Sequence, residues 1–203
     1  MADGKGPSLH RRDGKTRWQG SGRTRPASKK LYAALDLGTN NCRLLIATQS
    51  ADGFTVVDGF SRIIRLGEGL DANGVLSEEA MQRANEALKV CAHKLAKAKV
   101  KRIRAVATQA CRRASNGAEF VEQVRTNIGL SLKIISTEEE ARLAMRGCLD
   151  LFDHSCKLAL VLDIGGGSTE ISWVRLAGNE DRAGGGKTRP PKALLQSWVS
   201  LDL

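Results

Sequence analysis

The sequence predicts an α/β fold with a mixed sheet, and three observations carry the prediction. The first is an internal repeat. Leu35-Asp36-Leu37-Gly38-Thr39-Asn40-Asn41-Cys42-Arg43-Leu44 returns without a gap as Leu162-Asp163-Ile164-Gly165-Gly166-Gly167-Ser168-Thr169-Glu170-Ile171, 127 residues later. Each copy reads as an apolar strand, an Asp at its end, a turn of small residues and a second apolar run, which is a β-hairpin. The second is the order βββαβαβα, which opens with the first copy and is followed by the second, strands and helices alternating after an opening meander. The third is composition: 41% of residues are hydrophobic but only 4% aromatic, so the core rests on Ala, Val, Leu and Ile.

Taken in order, residues 31–36, 42–48 and 55–66 read as three strands, with Asp52-Gly53 supplying hairpin-turn chemistry between the second and third. Residues 70–74 read as a loop. Ser77 is a fitting N-cap for a helix over about 78–98, where Met81, Ala84, Leu88, Cys91, Leu95 and Ala98 share one face. A strand follows at 102–108. Asn116 with Glu119 has capping-box spacing for a second helix ended near Gly129. Residues 132–136 are a strand, the fifth of the sheet. Ser136 with Glu139 caps a third helix running to about 151. Residues 157–163 and 170–176 form the second hairpin, 178–191 a Gly-, Arg- and Pro-containing loop, and 193–201 a last apolar strand.

The charge is unevenly placed. The net +10 falls mostly on residues 1–30, which hold nine basic and two acidic side chains, while the other 173 hold 23 and 20. Residues 1–30 have too little apolar surface to offset the entropy of ordering and read as a disordered basic tail, with a weak, salt-sensitive polyanion contact as its functional alternative. No specific nucleic-acid partner is indicated. No run of 18 apolar residues occurs, so no membrane span is expected. Five cysteines without a C-x-x-C pair argue against a disulfide framework and a zinc site, and place the chain in a reducing cytoplasm. The three histidines have no partners at ligand spacing.

The chemistry concentrates at the repeat. Gly38, Thr39, Asn40 and Asn41 in the first turn, and Gly165, Gly166, Gly167, Ser168 and Thr169 in the second, offer backbone N–H groups and short polar side chains to phosphate. Glycine there permits positive φ and a close backbone approach. One Gly-rich turn is a weak signal; two matched turns, each preceded by an Asp, are a strong one. Walker A spacing is absent. Carboxylates at the ends of buried strands call for a cation, and Mg²⁺, which takes few protein ligands, suits Asp36 or Asp163. Glu170 lies seven residues past Asp163, where an antiparallel return brings it back beside that Asp. Glu138, Glu139 and Glu140 open the third helix; first-turn acids match the macrodipole, but one held in a cleft could orient water. Arg112 and Arg113 follow a strand's C-terminal end, where α/β proteins contact ligands. A guanidinium there suits phosphate.

The order of elements resembles one lobe of the actin-like ATPase (ribonuclease H-like) superfamily, whose members close two similar lobes on a phosphate chain. Within it, the residues resemble the exopolyphosphatase and guanosine pentaphosphate phosphatase (Ppx/GppA) family. The resemblance rests on Asp36-Leu37-Gly38-Thr39-Asn40, on Arg65-Leu66-Gly67-Glu68-Gly69-Leu70 followed by Leu76-Ser77-Glu78-Glu79-Ala80-Met81, on Ala107-Thr108 through Arg112 to Gly117, on Ile134-Ile135-Ser136 through Leu143, and on Asp163 through Glu170. These segments span about 31–174 in order. The resemblance implies a first phosphatase lobe at 31–152 with a mixed five-stranded sheet, and the start of a second, incomplete lobe at 153–203. It implies a hydrolase acting on inorganic polyphosphate or on the 5′ phosphate of guanosine pentaphosphate. Glu140 would be the general base, with Glu139 the fallback. Asp163 and Glu170 would hold Mg²⁺ or place water, Arg112 would bind the transferred phosphate, and the full-length protein would form a homodimer. The sequence departs from the family at Asn41, where Ser is usual, and in stopping short of a second lobe, so this chain alone is expected to be inactive. The alternatives are a kinase- or chaperone-like nucleotide-binding module and a non-catalytic phosphate-binding remnant.

Overall fold

The computed structural model describes residues 30–51, 53–153, 155–176 and 193–202. Strands β1 (Leu31–Leu37), β2 (Asn41–Ser50) and β3 (Gly53–Ile63) form an antiparallel meander. Strand β4 (Arg102–Ala107) lies parallel to β1, and the short β5 (Lys133–Ile134) lies parallel to β4. The resulting sheet has the order β3-β2-β1-β4-β5, mixed and five-stranded as the sequence predicts. A second sheet of order β6-β7-β8 is built from β6 (Leu158–Ile164), β7 (Ser168–Leu176) and β8 (Ala193–Asp202), all antiparallel.

Alternation sets the faces. Ala33, Leu35 and Leu37 of β1, with Cys42, Leu44 and Ile46 of β2, are buried on one side of the first sheet. The apolar stripe of α2 (Glu78–Ala98) joins the same core cluster, with Ala80, Ala84, Leu88 and Cys91 fully buried. Ser77 Oγ accepts from Ala80 N at 3.2 Å, capping α2 as its residue type predicts. Helix α4 (Gly117–Ile128) adds Phe120 and Val124 to this core. Helix α5 (Thr137–Gly147), capped by Ser136 Oγ accepting from Glu139 N, leaves the first sheet and packs on the second, where Met145 meets Val161, Val174 and Leu176. On the other face of the second sheet, Leu160, Leu162 and Ile164 stand exposed.

Four local expectations change. Residues 70–73 are a single helical turn, α1 (Leu70–Asn73), set between Gly69 and Gly74, both at positive φ. A five-residue helix, α3 (Gln109–Arg113), follows β4. Helix α5 stops at Gly147, and residues 149–151 form a 3₁₀ turn. Asn116 makes no cap: its carboxamide accepts from Leu76 N at 2.8 Å and donates to Leu76 O at 3.0 Å. Bonding both polar groups of a distant backbone residue displaced the local cap. The expected tail, apart from Lys30, the 178–191 loop and Asp52 lie outside the described residues. Among the described residues, no helix is long and apolar enough to cross a membrane.

Candidate active site

The two hairpins carry the same turn. Gly38 N donates to Asn41 O at 2.9 Å, and Gly165 N donates to Ser168 O at 2.8 Å. The antiparallel registers set Arg43 across from Asp36, and Glu170 across from Asp163. Glycine is required by proximity, not by φ: Gly38 and Gly165–Gly167 are not among the positive-φ residues. A Cβ on Gly166 would stand 2.6 Å from Asn40 Cβ, and one on Gly167 would overlap Gln109 Oε1. The two turns therefore pack against each other, which corrects the expectation that their glycines serve positive φ.

The first turn is braced from behind. Gly67 N donates to Thr39 O at 3.0 Å, and Ile64 N and Arg65 N both donate to Asn40 O. Arg83 of α2 holds this brace, donating through Nε to Ile64 O at 2.8 Å and through Nη2 to Arg65 O and to Glu68 Oε2. With the turn's carbonyls engaged on that side, its geometry is set before any ligand arrives.

A polar cleft of about 270 Å³ lies between the turns, lined by Gly38–Asn41, Gly165–Ser168, the carboxylates Asp36, Asp163, Glu140 and Glu170, and by Arg43, Thr108 and Gln109. Asp36, Arg43, Thr108, Glu140 and Asp163 also border a larger, mostly apolar hollow of about 670 Å³ along the first sheet. Burial pushes Asp36 above the ordinary carboxyl range, with Arg43 opposing and Asp163 adding to the rise. Asp163 is raised by burial and then by Glu170, against Arg43. Glu170 is 3% exposed and accepts from Ser200 Oγ at 2.9 Å.

The three glutamates of α5 separate cleanly. Glu138 pairs with Arg142 one turn along, a solvent-facing bridge. Glu139 pairs with Arg104 and Lys133, whose charges and bonds hold its carboxyl below the usual range. It does not line the cleft, so it does not serve as the fallback for Glu140. Glu140 alone of the three turns inward. Burial raises its carboxyl, while Arg112 and the Thr108 hydroxyl pull it down. Arg112 Nη1 donates to Glu140 Oε2 at 3.0 Å and to Ile135 O at 2.9 Å, so its charge is spent on the glutamate and a backbone carbonyl. Arg113 pairs instead with Asp71.

Of the turn residues, Thr169 falls outside the cleft. It pairs with Ile164 and Leu201, and strand alternation places it opposite to Ser168 and Glu170. Three polar cleft residues, Arg43, Thr108 and Gln109, were given no role by the sequence. Arg43 carried a signal: the seven-residue offset that returns Glu170 to Asp163 also returns Arg43 to Asp36. Gln109 carried none, since its contacts are all far away in sequence.

Among the described residues, no group of three or more His, Cys, Asp or Glu is placed to hold a metal ion. A three-ligand cage is therefore absent there, but the donor set fits Mg²⁺, which needs only one or two carboxylates beside phosphate oxygens and water. Asp163 and Glu170 are cross-strand neighbours whose repulsion a divalent cation would relieve.

The sequence model of the Ppx/GppA phosphatase family matches residues 45–181. Three solved structures are similar to the chain. A PPX-GPPA enzyme of Aquifex aeolicus shares 31% identity at a TM-score of 0.67, over 85% of this chain and 52% of that one. An exopolyphosphatase-like protein shares 31% at 0.72, over 87% and 51%. An exopolyphosphatase from Cytophaga hutchinsonii shares 25% at 0.72, over 86% and 51%. The chain spans about half the length of these structures.

Proposed function

The chain belongs to the Ppx/GppA phosphatase family, and from that premise we propose that its two turns grip a phosphate chain for Mg²⁺-assisted hydrolysis of a terminal phosphoryl group. The substrate is inorganic polyphosphate or the 5′ phosphate of guanosine pentaphosphate. The observation that carries this reading is the inward turn of Glu140 beside Arg112, in a cleft walled by both turns.

Glu140 accepts a proton from water as the water oxygen bonds to the terminal phosphorus. The phosphoanhydride bond breaks, and its electron pair leaves on the shortened chain. A carboxyl raised by burial is a better base than an exposed one, and a positioned general base is worth on the order of 100- to 10,000-fold in rate. Arg112, bonded to Glu140, would orient the base, and Arg43, which lines the cleft, would face the negative charge that builds on the phosphoryl oxygens. Mg²⁺, held by Asp163 and Glu170 with Asp36 nearby, would neutralise phosphate oxygens. Five unpaired cysteines fit a reducing, cytoplasmic setting.

Binding and turnover are tested separately, because the match covers half of each relative. Calorimetry with inorganic tripolyphosphate and Mg²⁺ is expected to show one site on the purified chain, retained in Glu140→Gln. No binding at millimolar ligand defeats the reading, and ATP binding without tripolyphosphate binding favours the kinase-like alternative. Phosphate release from polyphosphate or guanosine pentaphosphate, where it is measurable, is expected to vanish in Glu140→Gln.

A further inference from the structure

Gln109, the first residue of α3, is 4% exposed, and no step of the proposed hydrolysis uses it. Its carboxamide reaches three segments that are distant in the chain. Thr39 Oγ1 donates to its Oε1 at 3.4 Å. Its Nε2 donates to Gly167 O at 2.8 Å and to Asp202 Oδ1 at 2.9 Å. Both N–H bonds of the amide are thus engaged, and its oxygen faces a donor. Thr39 belongs to the first turn, Gly167 to the second, and Asp202 to the end of β8. The packing is close enough that a Cβ on Gly167 would also approach the Thr39 methyl to 3.1 Å.

We propose that Gln109 is a positioning residue that fixes the spacing and register of the two phosphate-binding turns by bonding to both at once. This rests on the phosphate-chain reading above and deepens it. A chain of phosphates spanning both turns needs their donors at one separation, and a latch that sets the separation beforehand reduces the ordering left to binding. The residue type is specific. Glutamate offers no N–H and would set a carboxylate against the Gly167 carbonyl and the Asp202 carboxylate. Leucine fills the space and bonds to neither. Asparagine is one methylene short of three partners that sit on separate segments.

The test reads both turns without ligand and then with it. In the ligand-free chain, Gln109→Leu is expected to speed hydrogen exchange at residues 38–41 and 165–168 together, by roughly tenfold for the loss of its bonds to both turns and to Asp202, with α2 unchanged. Gln109→Glu is expected to do the same, and adding Asp202→Asn, whose amide can donate to the new carboxylate, to recover part of the protection, since the repulsion is relieved while no N–H reaches Gly167 O. Exchange that changes in one turn only, or in neither, overturns the proposal. Tripolyphosphate affinity is expected to fall about tenfold in Gln109→Leu and to recover in part in the double variant over Gln109→Glu. Affinity within twofold of the unaltered chain also overturns it. Coupled exchange in a chain that binds no tripolyphosphate defeats the phosphate reading and leaves the latch standing.

Discussion

The two hairpins share strands, turn hydrogen bond and Asp, and they differ in the residue across from that Asp. In the first it is Arg43; in the second, at the same offset, it is Glu170. The first tip is a neutral pair in which a guanidinium is available to an anion. The second is a pair of carboxylates available to a cation. Under the proposed function, one duplicated backbone would supply two halves of a site for a metal-complexed phosphate chain, with a single side chain per copy setting the polarity.

Making the tips alike should have the largest effect. Arg43→Glu gives the first hairpin the second's charge and puts a carboxylate among Asp36, Asp163 and Glu170. Losing a charge-assisted contact and adding repulsion is expected to weaken tripolyphosphate binding by about 100-fold or more, read by calorimetry at fixed salt. Binding within a few-fold of the unaltered chain would show that the first tip does not face the ligand.

The converse change sharpens the contrast. Asp163→Asn should remove most of the gain that Mg²⁺ confers on tripolyphosphate binding, by about tenfold, whereas Asp36→Asn, whose partner is Arg43, should remove less. Equal losses would mean that the cation sits midway between the tips. Calorimetry with and without EDTA decides.

The same comparison shows what could be read in advance. The repeat located both hairpins, and strand pairing made Glu170's place beside Asp163 a matter of counting. The identical count would have found Arg43, had the second copy been read back onto the first. Ser77 and Ser136 were legible because capping is local. Asn116 has the same local signature but spends its amide on Leu76, 40 residues away. Gln109 is likewise set by partners 58, 70 and 93 residues distant. Three consecutive glutamates gave no register until Arg104 and Lys133 claimed Glu139. Thr169 fails for a simpler reason: a motif read as a block ignores that successive strand residues face opposite ways.

Acid should stabilise the cleft before it unfolds the chain. Asp36, Asp163 and Glu140 all have folded pKa values above their unfolded ones, so their ionised forms cost stability at neutral pH. That cost fades as pH falls through the raised values toward unfolded ones of about 4. Glu139 runs the other way, and its contribution is lost as pH falls through its lowered value. Stability should therefore rise as pH falls from 7 through the raised values and decline at lower pH as Glu139 takes up its proton. Asp163→Asn should flatten the rise and raise stability at pH 7, read by urea melts across pH. A variant that is less stable at pH 7 would show Asp163 to be satisfied rather than strained.

The smallest effect belongs to Thr169. Its neighbours Ser168 and Glu170 are buried on the cleft side, while it shares the opposite face of the second sheet with the exposed Ile164 and Leu201. Thr169→Val exchanges a hydroxyl for a methyl on a β-branched frame that suits a strand, so stability should change by less than about 0.5 kcal/mol. Tripolyphosphate affinity should stay within about twofold, against a clear loss for Gly167→Ala, whose new methyl would strike Gln109. A Thr169 variant that weakens binding as much as Gly167→Ala would mean that β7 turns over when ligand binds and that the two tips are not fixed halves of one site.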